Sequence, residues 1–238
     1  MMKAVVLAAG MGIRLDHLTN MKPKAMVRVA GRLLLEHTIG FLRHPKINKI
    51  AVVGGYHFGQ VEDYIRSHYG DEITIYKNER YREGNILSIK AAFDFLDDDV
   101  LICNVDHIYP SGLMDYIAEK ASGITAMCDR NRRLGKDDMK VKLDSEGFLK
   151  DISKGLREFE MGYIGMTFCA KEMLQIYKSG VLDVISKNGS SACIESVLDH
   201  LAKHGTKIGI LDTSGFKWYE VDTPSDIKIA EDGLKEGF

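Results

Sequence analysis

The chain has 238 residues, of which 45% are hydrophobic, and this is enough for one sizeable core. Its 32 basic and 34 acidic side chains give a formal net charge of −2. This balance excludes both the strongly basic surface typical of nucleic-acid-binding proteins and a long acidic tail. We therefore predict a single domain over residues 1–238 with no nucleic-acid partner, in which phosphate binding depends on locally placed cations.

The four cysteines lie far apart and form no CxxC pair, which predicts free thiols in a reducing compartment. The N-terminus continues directly into an apolar run without the pattern of a signal peptide. No apolar run approaches the roughly 20 residues that a membrane-spanning helix needs. These features predict a cytoplasmic protein with no membrane insertion.

The first half of the chain alternates short apolar runs with amphipathic segments. The apolar runs predict strands covered on both faces, at 3–9, 49–55, 72–78 and 99–106. Apolar residues recur at helical spacing between them, at 32–44, 58–69 and 86–96. The alternation predicts an α/β fold with a mostly parallel central sheet and right-handed crossovers.

The second half predicts mixed strands added to the same sheet. Residues 139–153 alternate around an Asp-Ser-Glu-Gly turn and predict a β-hairpin. Further helices are predicted at 111–121, 171–178, 193–204 and from about Pro224, with strands at 123–129, 163–170 and 207–213.

The long connection from Gly10 to Gly31 is predicted to lack regular structure, which is uncommon in a compact domain unless the segment is a binding loop or lid. Gly10 and Gly12 allow backbone N–H groups to approach phosphate oxygens, and Arg14 adds a guanidinium suited to phosphate. Lys24 follows a stiffening proline. The pattern favours an anion-binding loop over a flexible turn with solvated cations.

A dinucleotide-binding loop is the obvious alternative. Its GxGxxG pattern needs a third glycine that lets a helix pack against the strand, but Leu15 stands at that position. The second predicted strand ends in Gly54, Gly55 and Tyr56, without the acidic residue that binds a ribose hydroxyl. The Walker pattern is absent as well. These differences argue against an NAD-dependent oxidoreductase.

The chain resembles the nucleotidyltransferases that join a nucleoside triphosphate to a sugar phosphate or a related phosphate ester. The similar segments, in the family's order, are LAAGMGIRL (7–15), PKAMVRVAGRLLLEH (23–37), VVGGY (52–56), EGNILSIKAA (83–92), NVDH (104–107) and WYEVDTPSDIKIA (218–230). They span nearly the whole chain. Within this group the chain is most similar to the CTP:inositol-1-phosphate cytidylyltransferases.

This resemblance implies a Rossmann-like, GT-A-type nucleotidyltransferase fold with the core strands in the order 3-2-1-4. It implies a nucleotide-binding half at 1–106 and an acceptor-binding half at 107–238. The implied reaction is attack by an acceptor phosphate on the α-phosphorus of CTP, with Mg²⁺ as cofactor and pyrophosphate as leaving group. No general base is needed, because the attacking phosphate is already ionised at neutral pH.

The resemblance assigns two aspartates to the metal. Asp106 ends the fourth predicted strand, at the switch point where open α/β sheets bind ligands. Asp222 is the second ligand, and Glu220 is placed to support it from the same strand face. A turn or helix-capping role is the alternative for both aspartates. His107 is adjacent to Asp106 and could reach the metal region, although strand alternation predicts that its side chain points the other way.

The remaining roles concern the nucleotide. Lys24 is assigned to the α-phosphate and the charge that develops in the transition state, and Arg14 to the β- and γ-phosphates. Small residues that let the base reach the backbone complete the predicted nucleotide site: Leu7, Ala8, Ala9, Gly10, Gly12, Gly54, Gly55, Gly84, Asn85 and Ser88.

The acceptor site is predicted around the basic segment 129–142 and the hairpin. Lys142, Lys154 and Tyr163 are its candidate residues, with a merely solvated charge run as the alternative. Inositol 1-phosphate is the predicted acceptor, giving CDP-inositol as a precursor of a phospholipid or compatible solute. A sugar 1-phosphate and phosphocholine remain alternatives, as does a non-catalytic nucleotide sensor.

The predicted partners are CTP, the phosphate-ester acceptor and a separate CDP-alcohol phosphotransferase that would use the product. The sequence leaves the oligomeric state open, including a homodimer.

Overall fold

The structure is a computed structural model that describes residues 1–237. In chain order its strands are β1 (Met2–Ala8), β2 (Arg28–Val29), β3 (Arg32–Leu33), β4 (Ile47–Gly54), β5 (Ile73–Lys77), β6 (Val100–Asn104), β7 (His107–Ile108), β8 (Ile124–Asp129), β9 (Lys140–Leu143), β10 (Leu149–Ser153), β11 (Met161–Cys169), β12 (Ile208–Asp212) and β13 (Tyr219–Glu220). The α-helices are α1 (Leu34–Leu42), α2 (Phe58–Tyr69), α3 (Ile86–Ala91), α4 (Ser111–Lys120), α5 (Leu174–Asn188), α6 (Glu195–Lys203) and α7 (Pro224–Lys235).

The central sheet confirms the predicted core. Strands β5, β4, β1 and β6 are adjacent and parallel, which is the predicted order 3-2-1-4. Beyond β6 the sheet becomes mixed: β11 is antiparallel to β6, and β9 and β10 form the predicted hairpin at the sheet's edge. Strand β8 pairs with both β11 and β12. The α/β fold with added mixed strands is therefore confirmed.

The strands of the first half are apolar throughout because helices cover both faces of the sheet. Alternate residues of β1 illustrate this: Val5 and Leu7 belong to one buried cluster, whereas Ala4 and Val6 belong to another on the opposite face. Both clusters contain residues from the 1–106 half and from the 107–238 half. The two halves therefore share the packing on both faces of one sheet.

Helix α5 differs from its prediction. The expected helix at 171–178 is a 3₁₀ turn at Lys171–Met173 followed by the longer α5, which continues to Asn188. Gly180 lowers helix propensity in the middle of this segment. In the structure it allows close packing of α5 against α6, because a Cβ at Gly180 would lie 2.9 Å from Leu201 Cδ2. Tertiary packing therefore extends the helix past a residue that weakens it locally.

The predicted structureless connection from Gly10 to Gly31 is partly ordered. It contains 3₁₀ helices at Ile13–Thr19 and Lys24–Met26 and the short strand β2. Leu15 is fully buried in a third apolar cluster, together with Val27, Val29, Leu34, Ile108, Val221 and Ala230. The prediction was wrong because apolar residues within the loop bury their side chains and fix its course.

A two-stranded pairing that the sequence did not predict joins the end of β6 to the C-terminal segment. Strand β7 pairs antiparallel with β13, so that His107 lies opposite Glu220. The backbone N–H of Val221 donates a hydrogen bond to the carbonyl of Asp106 at 2.9 Å. This pairing fixes the position of Asp222 relative to Asp106.

The cysteines of the described residues are free thiols. Burial raises the pKa of Cys103 and of Cys169 to about 12, so both stay protonated near neutral pH. Within residues 1–237, no helix combines the length and the apolar character needed to cross a membrane.

Replacement of Leu15 by Ala tests how firmly the loop is fixed to the core. Because Leu15 is 0% exposed, we expect Leu15→Ala to lower the free energy of unfolding by about 2–5 kcal/mol, measured by urea denaturation. Ile13→Ala is the matched control, since Ile13 is 74% exposed and should change stability by about 0.5 kcal/mol or less. Equal stabilities of the two variants would contradict this packing.

Candidate active site

The candidate site lies at the carboxyl ends of β1 and β6, with Lys24 at its centre. The Lys24 ammonium lies 2.7 Å from Asp106 Oδ2 and 2.5 Å from Asp222 Oδ1. Lys24 is only 7% exposed. These three residues, which the sequence assigned to catalysis and to metal binding, are therefore brought into direct contact.

Gly12 makes the position of Lys24 possible. Its φ of +67° lies in the left-handed region that favours glycine. A Cβ at Gly12 would also lie 3.0 Å from Lys24 Cβ, so the loop can approach the lysine stem this closely only with glycine at position 12. The glycine of the opening motif therefore helps to hold the lysine in place.

The contacts keep all three groups charged. Burial raises the pKa of the Asp106 carboxyl, but Lys24 and His107 beside it outweigh this and hold that pKa well below its ordinary value. Burial lowers the pKa of Lys24, and the two carboxylates more than reverse this, so its pKa is raised. The pKa of Asp222 is lowered in the same way, since Lys24 outweighs burial. The site therefore holds two carboxylates around one ammonium.

Arg14 extends this cluster toward solvent. Its Nη2 lies 2.7 Å from Asp222 Oδ2, and its Nη1 lies 3.4 Å from Asp137 Oδ2. The side chain of Arg14 is 48% exposed, so it lies at the mouth of the site. A guanidinium in this place is accessible to a phosphate that enters from solvent.

Strand alternation predicts that the side chain of His107 points away from Asp106, but in the structure it points toward Asp106. Its Nδ1 lies 2.6 Å from Asp106 Oδ1. Strand β6 ends at Asn104 and the chain turns before β7 begins, so the alternation of a continuous strand does not apply here.

Glu220 lies on β13, opposite His107. Burial and the neighbouring carboxylates of Asp106 and Asp222 raise its pKa to about 7, although His107 acts in the other direction. Its Oε2 lies 3.3 Å from Arg132 Nη2. Glu220 thus belongs to the same electrostatic cluster as the two aspartates, and its supporting role toward a metal stays a prediction.

Two cavities meet at this cluster. The first is lined by residues of the opening loop and by the segment that follows β5, and it contains seven predicted nucleotide-site residues: Ala9, Gly10, Gly12, Arg14, Lys24, Asn85 and Ser88. Leu7 lines a smaller recess beside it. The second cavity has a volume of about 330 Å³ and contains Lys154 and Tyr163. Arg14, Asn85, Asp106 and Asp222 line both cavities.

Three residues predicted for the nucleotide site lie behind the cavity wall. Gly54 and Ala8 are buried and paired with each other in the sheet. Gly55 packs so closely against Ala9 that a Cβ there would lie 2.8 Å from Ala9 Cβ. The structure thus gives these small residues a supporting position, and a contact with the base stays a prediction.

Gly84 and Asn85 have a role that the sequence did not indicate. The N–H of Gly84 donates to the carbonyl of Ser190 at 2.7 Å, and Asn85 Oδ1 accepts from the N–H of Ile194 at 2.8 Å. They hold the segment that leads into α6, whose first residue is Glu195. Gly84 lines the second cavity.

Of the three residues predicted for the acceptor site, Lys154 and Tyr163 line the second cavity and Lys142 does not. The Lys142 ammonium lies 2.7 Å from Glu158 Oε2, and Lys142 is absent from the residues that line the second cavity. On β9 the neighbouring Val141 points into the core, so alternation turns Lys142 to the outer face of the hairpin. Lys142 therefore lies away from the second cavity, and its part in acceptor binding stays a prediction.

Sequence reasoning missed Glu195, which lines the second cavity and is 6% exposed. Burial raises the pKa of this carboxyl, and within residues 1–237 no Lys or Arg forms an ion pair with it. In the sequence it stands at the start of an amphipathic helix, where acidic residues are common for reasons of helix stability. No sequence signal distinguishes a glutamate that lines a cavity from one that stabilises the start of a helix.

The donor set of the site fits a hard divalent cation. Two carboxylates converge on one point, as their shared contact with the Lys24 ammonium shows. Mg²⁺ is typically held by one or two carboxylates, with waters and substrate phosphates completing its shell. Among the described residues no group of three or more His, Cys, Asp or Glu is arranged as a complete metal cage. The arrangement suits a cation that is bound together with a nucleotide.

Comparison with known proteins identifies the family. Residues 4–205 match the MobA-like NTP transferase domain. The chain is 29% identical to a "Bifunctional IPC transferase and DIPP synthase" of Aquifex aeolicus, covering 99% of this chain and 54% of that protein. It is 25% identical to a "CTP:phosphoglutamine cytidylyltransferase" of Campylobacter jejuni, covering 96% of this chain and 98% of that protein.

The fold is shared with a solved structure entitled "Structure of the inositol-1-phosphate CTP transferase from T. maritima", with a TM-score of 0.83 and 18% identity over 99% of this chain and 96% of that one. Against several curated relatives, the chain spans only 38–54% of their length. The family match over most of the chain shows that this protein belongs to the MobA-like NTP transferase family.

Proposed function

We propose that this protein transfers a cytidylyl group from CTP to the phosphate of inositol 1-phosphate, giving CDP-inositol and pyrophosphate, with Mg²⁺ as cofactor. The observation that carries the proposal is the position of Lys24, held between Asp106 and Asp222 where two cavities meet. We assign the first cavity to the nucleotide and the second to the acceptor. The α-phosphate and the attacking phosphate would meet at their junction.

The chemistry requires two polyanions to approach each other, so positioning and charge neutralisation are the main tasks. The Lys24 ammonium would bind the α-phosphate and stabilise the charge that develops on it. Arg14, at the mouth of the site, would bind the phosphates that leave. An acceptor phosphate is ionised at neutral pH, so the chain needs no residue to remove a proton from it.

Asp106 and Asp222 are the residues that would hold Mg²⁺. When bound, the ion would neutralise charge on the phosphates and orient them for in-line attack. A non-catalytic nucleotide sensor is the less favoured alternative, since Arg14, Lys24 and both aspartates are present and in mutual contact.

The names of similar proteins support CTP and an inositol phosphate. The Aquifex relative is named an IPC transferase and the T. maritima structure an inositol-1-phosphate CTP transferase. We propose that a CDP-alcohol phosphotransferase uses the product. The free, buried thiols support a reducing compartment, and we place the reaction in the cytoplasm.

The second cavity favours one other class of acceptor. Carboxylates dominate its charged lining, and Glu195 is buried there with no Lys or Arg ion pair within 4 Å among residues 1–237, although the charge of Lys154 acts to lower its pKa. A buried carboxylate is stabilised by a cation or by several hydroxyl donors. An ammonium-bearing phosphate ester such as phosphocholine is therefore the second candidate acceptor.

The reaction is tested by incubating the protein and Mg²⁺ with each nucleoside triphosphate and a panel of phosphate esters. We expect pyrophosphate release with CTP and inositol 1-phosphate. Absence of release with every pair would contradict the proposed activity. Release with glucose 1-phosphate but not with inositol 1-phosphate would contradict the proposed acceptor.

Removal of the Asp106 carboxylate should abolish turnover in the same assay while circular dichroism shows an intact fold, because this carboxylate is assigned to Mg²⁺. Asp71→Ala removes a fully solvent-exposed carboxylate and serves as the control that retains activity. Retained activity in Asp106→Ala would show that the metal is held elsewhere.

Lys24→Met should lower kcat by about 100- to 1,000-fold, because it removes a charge that stabilises the transition state while keeping a side chain of similar length. Steady-state kinetics with saturating CTP measure the effect, and thermal unfolding in Mg²⁺ checks the fold. Lys22→Met, which changes another lysine of the same loop, should leave kcat near the wild-type value. An equal effect of the two substitutions would remove Lys24 from the reaction.

Glu195→Gln distinguishes the two acceptor classes. An amide still exchanges hydrogen bonds with hydroxyls, but it cannot pair with an ammonium. We therefore expect kcat/KM for phosphocholine to fall by about 10-fold or more relative to kcat/KM for inositol 1-phosphate. Glu119→Gln, on the exposed face of α4, is the control. An equal change for both acceptors would exclude a direct contact between Glu195 and an acceptor ammonium.

A further inference from the structure

His107 is enclosed on both faces by aromatic rings. Its ring stacks on Tyr109 with centroids 5.6 Å apart and an interplanar angle of 16°. On the other face it stacks on Trp218 at 5.5 Å and 17°. His107 is 3% exposed, so its ring has little freedom to rotate.

The edge of the same ring is closed by Gly165. A Cβ at this position would lie 2.7 Å from His107 Cε1, closer than a real side chain could approach. Gly165 has a φ of +76°, and it lies where the pairing of β11 with β8 shifts register between Tyr163 and Thr167. The irregularity in β11 therefore makes room for the histidine.

The two flanking rings are themselves fixed by hydrogen bonds. The indole N–H of Trp218 donates to Asp129 Oδ2 at 2.8 Å, and the hydroxyl of Tyr109 donates to the carbonyl of Ile164 at 2.6 Å. The Arg132 guanidinium lies over the indole, 4.3 Å from the ring centroid. These hydrogen-bonded rings thus hold the His107 side chain in one orientation.

In this orientation the donor and the acceptor of the hydrogen bond between His107 and Asp106 can be assigned. A carboxylate only accepts hydrogen bonds, so Nδ1 of His107 carries a proton and donates it to Oδ1 at 2.6 Å. The other oxygen, Oδ2, contacts Lys24. The two carboxylate oxygens therefore have separate partners, and rotation of the carboxylate would break both contacts.

We infer that His107 is a positioning residue, which fixes the Asp106 carboxylate in the orientation that binds Mg²⁺ with the nucleotide. This inference rests on the proposed function, because that function assigns Asp106 to the metal. Groups that hydrogen-bond to a metal-ligating carboxylate orient it, and their loss typically weakens metal affinity or activity by about 10- to 100-fold.

The test compares His107→Phe, which keeps the stacked ring and loses the donor, with His107→Asn, whose amide N–H replaces Nδ1–H. Isothermal titration calorimetry measures the affinity for CTP with Mg²⁺ and, separately, with EDTA. Steady-state assays measure the Mg²⁺ concentration that gives half-maximal activity. His68→Phe is the matched control, since His68 also stacks on a tyrosine, at 4.0 Å from the ring of Tyr64, but lies on α2.

We expect His107→Phe to raise the required Mg²⁺ concentration by about 10- to 100-fold and to weaken CTP binding only when Mg²⁺ is present. His107→Asn should recover a large part of both effects. If the Phe variant does not fold, His107→Gln replaces it, because the longer side chain moves its amide away from the Nδ1 position. The Gln variant should then require more Mg²⁺ than the Asn variant.

An unchanged Mg²⁺ requirement in His107→Phe would overturn the inference, as would an Asn variant that is no better than Phe or Gln. A merely structural role would instead weaken CTP binding equally with Mg²⁺ and with EDTA. Failure of the proposed function is seen separately, as absence of pyrophosphate release by the unaltered protein.

Discussion

The ion pairs between Lys24 and two aspartates are the interaction on which this site depends. A buried ammonium is costly unless it is paired, and here both carboxylates offset the cost of burying Lys24, although they repel each other. The partners come from distant parts of the chain, since Asp106 and Asp222 lie 82 and 198 positions from Lys24. Neutral replacement of Lys24 would leave the two carboxylates facing each other without the ammonium between them.

An apolar cluster supports these polar contacts from beneath. Leu15 comes from the opening loop, Ile108 from β7 and Val221 from the segment after β13, and all three bury their side chains together. A direct neighbour of each in the sequence has a polar or charged side chain of the site: Arg14, His107 and Asp222. The hydrophobic effect thus brings these segments together. It offsets part of the free-energy cost of removing their polar side chains from water.

The two sides of the cleft differ in charge. The cavity assigned to the nucleotide is lined by three cationic side chains and three carboxylates, whereas six carboxylates line the second cavity with only Arg14 and Lys154 as Lys or Arg residues. A triphosphate carries more negative charge than an acceptor monoester, so this difference favours one orientation of the two substrates. The acceptor side keeps Lys154 as a basic residue for the attacking phosphate.

Much of the fold could be predicted because local patterns carry it. The continuous apolar runs required a sheet covered on both faces, and the helical spacing between them required parallel crossovers. The order of the segments made the family resemblance specific. The loop between Gly10 and Gly31 was predicted as unstructured because its apolar residues are too few and too irregular for a periodic pattern, although Leu15 anchors it.

The candidate site was predictable only in part. From the sequence, the glycine- and cation-rich loop after the first strand predicted a phosphate site with Lys24, and the family resemblance assigned the two aspartates to the metal. Tertiary structure alone decided that His107 faces Asp106, that Lys142 faces Glu158 and that Glu195 faces the second cavity. These directions depend on where β6 ends and on which strands pair across the sheet, and such long-range pairing leaves no periodic trace in the sequence.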